Sequence, residues 1–194
     1  MDRQIILFGA NLATSDRRKG FHLLLPALQK LSQSQWQTRI ELVVFGASQP
    51  SESPDFGFKT NYIGKLSDDI SLSLLYAAAD VFVAPSLQDN LPNTVMEALA
   101  CGTPCVAFKI GGMPDMIEHE QNGCLAQPYE VKDLERGIKW VLEDKERWRK
   151  LCDRAREKVE QEFTVDLQAH RYLSLFEEIV SHSNKLKHNC NLTQ

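Results

Sequence analysis

Long apolar runs are missing from this sequence: no stretch approaches the roughly 20 residues needed to span a bilayer. A basic n-region with a cleavage site is also missing, because Met1, Asp2, Arg3 and Gln4 lead straight into Ile5–Phe8. Nothing marks the chain for export, and a cytoplasmic location is the expectation. An excess of positive charge is lacking as well. Lys plus Arg total 22 against 26 Asp plus Glu, a net of −4, so no general attraction to nucleic acid or anionic lipid is available and any bound anion must be held locally. The five cysteines, at 101, 105, 124, 152 and 190, are odd in number and no two have the two-residue gap of a zinc or thioredoxin motif. Reduced thiols are expected. Asn191-Leu192-Thr193 matches a glycosylation sequon, but without a secretory signal the match carries no weight.

Three nucleotide and metal signatures are absent too. Neither the dinucleotide G-x-G-x-x-G nor the phosphate-cradling G-x-x-x-x-G-K-[ST] occurs, which argues against NAD and P-loop chemistry. No Asp-x-Asp occurs either, and the acidic pairs Asp68-Asp69 and Glu118-His119-Glu120 fall at the ends of expected helices. No metal ligand and no cofactor is therefore assigned. His22, in an apolar helix, and His119, in a polar turn, read as structural or solvated.

What is present is the balance of a globular domain. Hydrophobic residues make up 43% and charged residues 25%, enough apolar material for 194 residues to bury roughly 70% of their unfolded surface. Short apolar runs at 4–9, 39–46, 60–64, 80–84, 104–108 and 123–127 read as strands. Several are apolar throughout, as in a parallel sheet covered on both faces. Between them, helical spacing appears at 20–33, 67–79, 93–101 and briefly at 113–119, the arrangement of right-handed crossover units. Residues 47–59, rich in Ser, Pro and Gly, read as a surface loop. Helices follow at 130–143, 144–162 and 165–182. Leu134, Ile138 and Val141 stripe the first, and a Glu143–Arg147 pair supports its junction with the second. The fold class is α/β, a doubly wound Rossmann-like domain of about six parallel strands with helices on both faces and extra C-terminal helices. It spans 1–182, with a polar tail over 183–194.

In such a sheet, ligands bind outside the carboxyl ends of the strands, where helix N-termini present unpaired N–H groups. Three loops there stand out. The first carries Arg17-Arg18-Lys19 at a helix entrance, suited to a phosphate and equally to a solvated basic turn. In the second, Pro85 to Leu99, two carboxylates stand eight positions apart: Asp89 in the loop and Glu97 one turn inside the helix. Pro92 or Asn93 begins that helix, leaving amides aimed at the loop mouth, and Glu97 suits the vicinal diol of a ribose. Both carboxylates also fit plain helix-end and surface roles. The third loop, Lys109-Ile110-Gly111-Gly112-Met113-Pro114, fits either close backbone approach to a ligand or a turn needing positive φ.

Taken together, Leu75-Tyr76-Ala77-Ala78-Ala79-Asp80-Val81-Phe82-Val83-Ala84-Pro85-Ser86, then Met96-Glu97-Ala98-Leu99-Ala100-Cys101-Gly102-Thr103-Pro104 and Gly111-Gly112-Met113-Pro114, resemble the C-terminal donor domain of group 1, family 4 retaining glycosyltransferases. The likeness runs from residue 5 to about 176 and includes Arg18-Lys19-Gly20, Tyr62-Ile63-Gly64 and Asn122-Gly123. It implies one half of a two-domain GT-B fold, binding a UDP-, GDP- or ADP-sugar without a metal. The N-terminal acceptor domain lies outside these residues and is an implied partner, and any peripheral membrane contact is left to it. Lys19 is implied to grip the donor diphosphate. The family's arginine follows the first strand, where this chain has Ala10 and Asn11, so Arg17 or Arg18 substitutes or the contact is absent. The paired-glutamate motif maps onto Asp89, one methylene short and nearest the reacting sugar carbon, and Glu97 on the ribose, as the catalytic pair. The family's Gly-Phe-Gly is replaced by Asn90-Leu91-Pro92, so the donor-binding amides are those of Asn90, Leu91, Asn93 and Thr94, with Tyr62 and Ile63 completing the donor set. Leu173, Phe176 and Ile179 on the last helix are expected to be partly exposed. The alternative is a non-catalytic nucleotide-sugar-binding or partner subunit. A sugar-nucleotide epimerase on the same fold fits the motifs less well.

Overall fold

The computed structural model describes residues 3–9, 16–46 and 54–191, with side chains described as far as residue 182. Ala10, Asn11, the loop residues 47–53 and Thr193 of the sequon lie outside the described residues. Strands β1 (Gln4–Gly9), β2 (Ile40–Phe45), β3 (Lys59–Gly64), β4 (Val81–Ala84), β5 (Cys105–Phe108) and β6 (Gly123–Ala126) differ from the expected runs by at most one residue at either end. They form one sheet in the order β3-β2-β1-β4-β5-β6, every neighbouring pair parallel. Helices are α1 (Phe21–Ser32), α2 (Asp69–Ala78), α3 (Asn93–Ala100), α4 (Met113–Met116), α5 (Val131–Glu143), α6 (Lys145–Glu162) and α7 (Val165–Asn191).

Successive strand side chains point to opposite faces, so each apolar run feeds two cores. Ile6, Phe8, Leu42, Val44, Val81, Val83, Val106 and Phe108 pack with Leu24, Leu28 and Leu31 of α1 and Leu134, Ile138 and Val141 of α5. On the other face Phe45 and Phe82 meet Tyr76 of α2, both edge-on, with centroids 5.7 and 5.6 Å away. Burying a large aliphatic or aromatic side chain stabilises by roughly 1.5–3 kcal/mol. This doubly covered sheet is therefore a rigid platform for the loops at its carboxyl edge.

Polar residues of the motif text close the frame. Asp80 accepts the Ile5 amide at 2.6 Å, Trp148 Nε1 donates to the Asp80 carbonyl at 2.7 Å, and burial raises the Asp80 carboxyl above the ordinary range. Asn122 takes the Glu118 amide at 2.8 Å and donates to the Met116 carbonyl at 2.9 Å, which stops α4 at Met116 rather than at 119. The Glu143–Arg147 pair forms at 3.1 Å.

The chain divides into two compact units, Met1–Val159 and Glu160–Gln194. In the second, the segment 183–191, expected as polar tail, continues α7, and no Gly or Pro lies there to stop a helix. Leu173, Phe176 and Ile179 are 57%, 57% and 55% exposed. Among the described residues, no helix is long and apolar enough to cross a membrane.

Candidate nucleotide-sugar site

Chain order along the sheet reverses between β1 and β4, so the loops leaving these two strands diverge and open a crevice at their carboxyl ends. In the first loop, the three cations occupy a 3-10 turn, Arg17–Lys19. Asp16 starts the turn by accepting the Arg18 amide at 2.9 Å and also holds the Arg18 guanidinium at 2.8 Å, which lowers the Asp16 carboxyl below its ordinary range. Gly20 ends it at φ +73°, with an added Cβ landing 1.7 Å from the Pro85 carbonyl oxygen. Leu87 N donates to the Arg18 carbonyl at 2.7 Å. The turn is thus seated directly on the loop after β4.

That seating brings together residues seventy positions apart. Lys19 Nζ lies 2.8 Å from Asp89 Oδ2, which also accepts from Ser86 Oγ at 3.2 Å. Arg18, Lys19, Gln88, Asp89 and Asn90 line an open cleft of about 450 Å³. Lys19 also lines a second, smaller pocket with Ser86, Pro92 and Thr94, where α3 begins. Pro92 precedes it without a side-chain cap, and its carbonyl takes the amides of Val95 and Met96. Among the described residues, the amides of Asn93 and Thr94 make no hydrogen bond, leaving two donors and the positive end of the helix dipole open.

The glycine pair after β5 serves this loop. Gly111 has φ +48°, and a Cβ there would fall 1.9 Å from the Asp89 carbonyl oxygen; on Gly112 it would fall 2.0 Å from that of Asn90. Of the two alternatives open in the sequence, the turn needing positive φ applies at Gly111, and the group that approaches it is the chain's own Asp89 carbonyl. At Gly112, with φ −86°, no positive φ is needed, and the approaching group is again the chain's own backbone.

Glu97 sits farther along α3, where its Oε2 accepts from the Tyr76 hydroxyl at 2.9 Å. Tyr62 and Ile63 are not drawn into the cleft: Tyr62 packs on the core, and Ile63 on edge strand β3 is 44% exposed. Elsewhere the candidates for chemistry are spent on structure. Asp68 caps α2 through the Ser71 amide at 2.7 Å, Glu118 pairs with Lys158 at 2.7 Å, and His119 Nδ1 accepts from the Leu125 amide at 3.1 Å. Among the described residues no cluster of three metal-ligating side chains occurs.

Sequence reasoning missed Asp16, Ser86 and Tyr76. Asp16 carried a local signal, an acid two residues before Arg18. Tyr76 carried none, being 21 positions from its partner.

The chain is similar to several known proteins. It is 34% identical over 146 residues to the sulfoquinovosyl transferase SQD2 of Arabidopsis thaliana, covering 73% of this chain and 28% of that protein. Among solved structures, sucrose-phosphate synthase from Thermosynechococcus elongatus superposes with a TM-score of 0.77 at 27% identity, over 93% of this chain and 46% of that one. Anabaena HepE in complex with UDP has the same fold, with a TM-score of 0.73 at 22% identity over 91% and 49% of the two chains. The chain spans less than half the length of the curated relatives it matches. With this Rossmann-like sheet, a cationic turn and an open helix end at its switch point, and residues 1–161 matching the model of the glycosyl transferases group 1, the chain belongs to that family.

Proposed function

We propose that these residues form the donor-binding half of a retaining glycosyltransferase that takes a nucleotide-diphosphate sugar. The observation that carries the reading is that Lys19, Ser86, Pro92 and Thr94 line one small pocket at the β1/β4 crevice, where α3 begins with the amides of Asn93 and Thr94 open. The diphosphate lies between the lysine and the helix end and takes Lys19 from Asp89. As the glycosyl–oxygen bond breaks, negative charge grows on the leaving diphosphate, where these donors are already oriented. With side chains and a helix end supplying the positive charge, and with no Asp-x-Asp in the sequence, the site works without a divalent cation. Glu97 accepts from the ribose hydroxyls, and the amides of Asn90 and Leu91 face the sugar. Asp89, released from Lys19, stands beside the reacting carbon. The acceptor is bound by a second domain, outside these residues. UDP and UDP-glucose in the HepE structures support a uridine diphosphate donor, and the thiols at 101, 105, 124 and 152, free among the described residues, fit a reducing cytoplasm.

Calorimetry of this chain with UDP, GDP, ADP and their glucose conjugates, in EDTA and in Mg²⁺, tests the reading. One nucleoside diphosphate should bind in EDTA; binding by none of them, or only with Mg²⁺, would overturn it. Asp89 also favours a second reading, a non-catalytic nucleotide-sugar-binding subunit, because its shortened side chain is committed to Lys19 and Ser86. Donor turnover by the full-length protein separates the two.

A further inference from the structure

Tyr76, on α2, is 1% exposed and does not line the cleft. Its ring is held edge-on by Phe45 and Phe82, at interplanar angles of 88° and 87°. Its carbonyl is fixed separately, by the Thr103 hydroxyl at 2.7 Å. Neither contact involves the phenol oxygen, which donates to Glu97 Oε2 at 2.9 Å. Oε1 of Glu97 has no hydrogen-bond partner among the described residues.

We infer that Tyr76 is a positioning residue for the ribose-binding carboxylate: it pins Glu97 Oε2 from the interior, and so fixes Oε1 as the acceptor for the ribose hydroxyls. The inference rests on the nucleotide-diphosphate reading above. A carboxylate free to rotate about its last torsion offers its lone pairs in many directions and loses that freedom on binding. One already held by a rigid donor loses less. Burial and the nearby Glu97 charge push the Tyr76 hydroxyl above its ordinary range, so it remains a donor at neutral pH. Removing this hydroxyl should be felt only by ligands that use Oε1.

The test compares the 194-residue chain, Tyr76→Phe and Glu97→Gln in calorimetry, using whichever of UDP, GDP and ADP binds tightest together with its 2′,3′-dideoxy form. Tyr76→Phe should weaken the ribonucleotide about fivefold, the factor given by one ordinary hydrogen bond, and leave the dideoxy form unchanged. Glu97→Gln should abolish the preference for ribose. In the Tyr76→Phe background, Glu97→Gln should cost less than in the parent chain. If Glu97→Gln removes the preference while Tyr76→Phe keeps it intact, the positioning role is wrong and the site reading stands. If Glu97→Gln leaves the preference unchanged, or none of the three nucleotides binds, the reading of the site fails and the inference falls with it. Should Tyr76→Phe not fold, 3-fluorotyrosine at position 76 gives a second readout. Its fluorine resonance should move with the ribonucleotide and not with the dideoxy form, and equal or absent shifts would overturn the role.

Discussion

The sheet has a cleft at each end, and the larger is the less suited to a charged ligand. At the amino ends of β4 and β5, a groove of about 530 Å³ is lined by residues that include Ala77, Cys101, Thr103, Trp148, Cys152 and Arg156. Several of its polar groups are already paired: Trp148 donates to Asp80, Thr103 to Tyr76, and Arg156 to the Ala100 carbonyl at the end of α3. Burial pushes the Cys152 thiol up to about 12, so it is neither charged nor reactive at neutral pH. Helix carbonyl ends face this groove, whereas at the other end of the sheet Lys19 lines both the smaller cleft of about 450 Å³ and a pocket at the amide end of α3. Parallel crossover topology orients the dipoles of the helices that connect strands the same way, so the two ends of one sheet differ in sign before any side chain is placed. Volume does not mark the site; unspent donors do.

Four substitutions break or sharpen this contrast. Lys19→Ala should have the largest effect, weakening nucleoside diphosphate binding by roughly 1.5–3 kcal/mol, the size of a charge-assisted hydrogen bond, as read by calorimetry. Unchanged affinity would remove the cleft's advantage over the groove. Gly20→Ala places a Cβ 1.7 Å from the Pro85 oxygen at φ +73°. Urea denaturation should show about 2 kcal/mol less stability, from left-handed strain together with the displaced loop.

Asp89→Asn should act more gently and with the opposite sign. It frees Lys19 from a competing partly buried carboxylate, so the bare nucleoside diphosphate should bind a few-fold tighter, within the ~1 kcal/mol of such a pair. The expectation implied by the family resemblance, that Asp89 stands at the sugar, requires no change. Calorimetry with the nucleotide alone decides between them. Arg156→Ala, in the opposite groove, should leave nucleotide affinity at the parent value and lower the melting temperature slightly through the lost cap on α3. A drop in affinity there would mean the two ends are coupled.

How far these contrasts were legible beforehand depended on the range of the interaction. Leu42, Val44, Val81 and Val83 announced buried parallel strands because period and composition are local properties, and α5 was visible from Leu134, Ile138 and Val141. The polar segment after 182 misled, because composition alone does not end a helix that lacks a stop residue. Tyr62 and Ile63 stand near the carboxyl end of β3, two strands from β1, a placement that the order of strands along the chain does not give.

The sequence by itself determined the six strands, the crossovers between them and the residue types available at the carboxyl edge, since each depends on neighbours a few positions away. It also placed Lys19 and Glu97 beside helix N-termini. Only the tertiary structure decided the pairings: Lys19 with Asp89, Arg18 with Leu87, Gly111 and Gly112 under the loop at 89–90, and Tyr76 behind Glu97. Those partners lie about 20 to 70 residues apart, and what brings them together is the order of strands in the sheet, a consequence of packing two helical layers that no local pattern encodes.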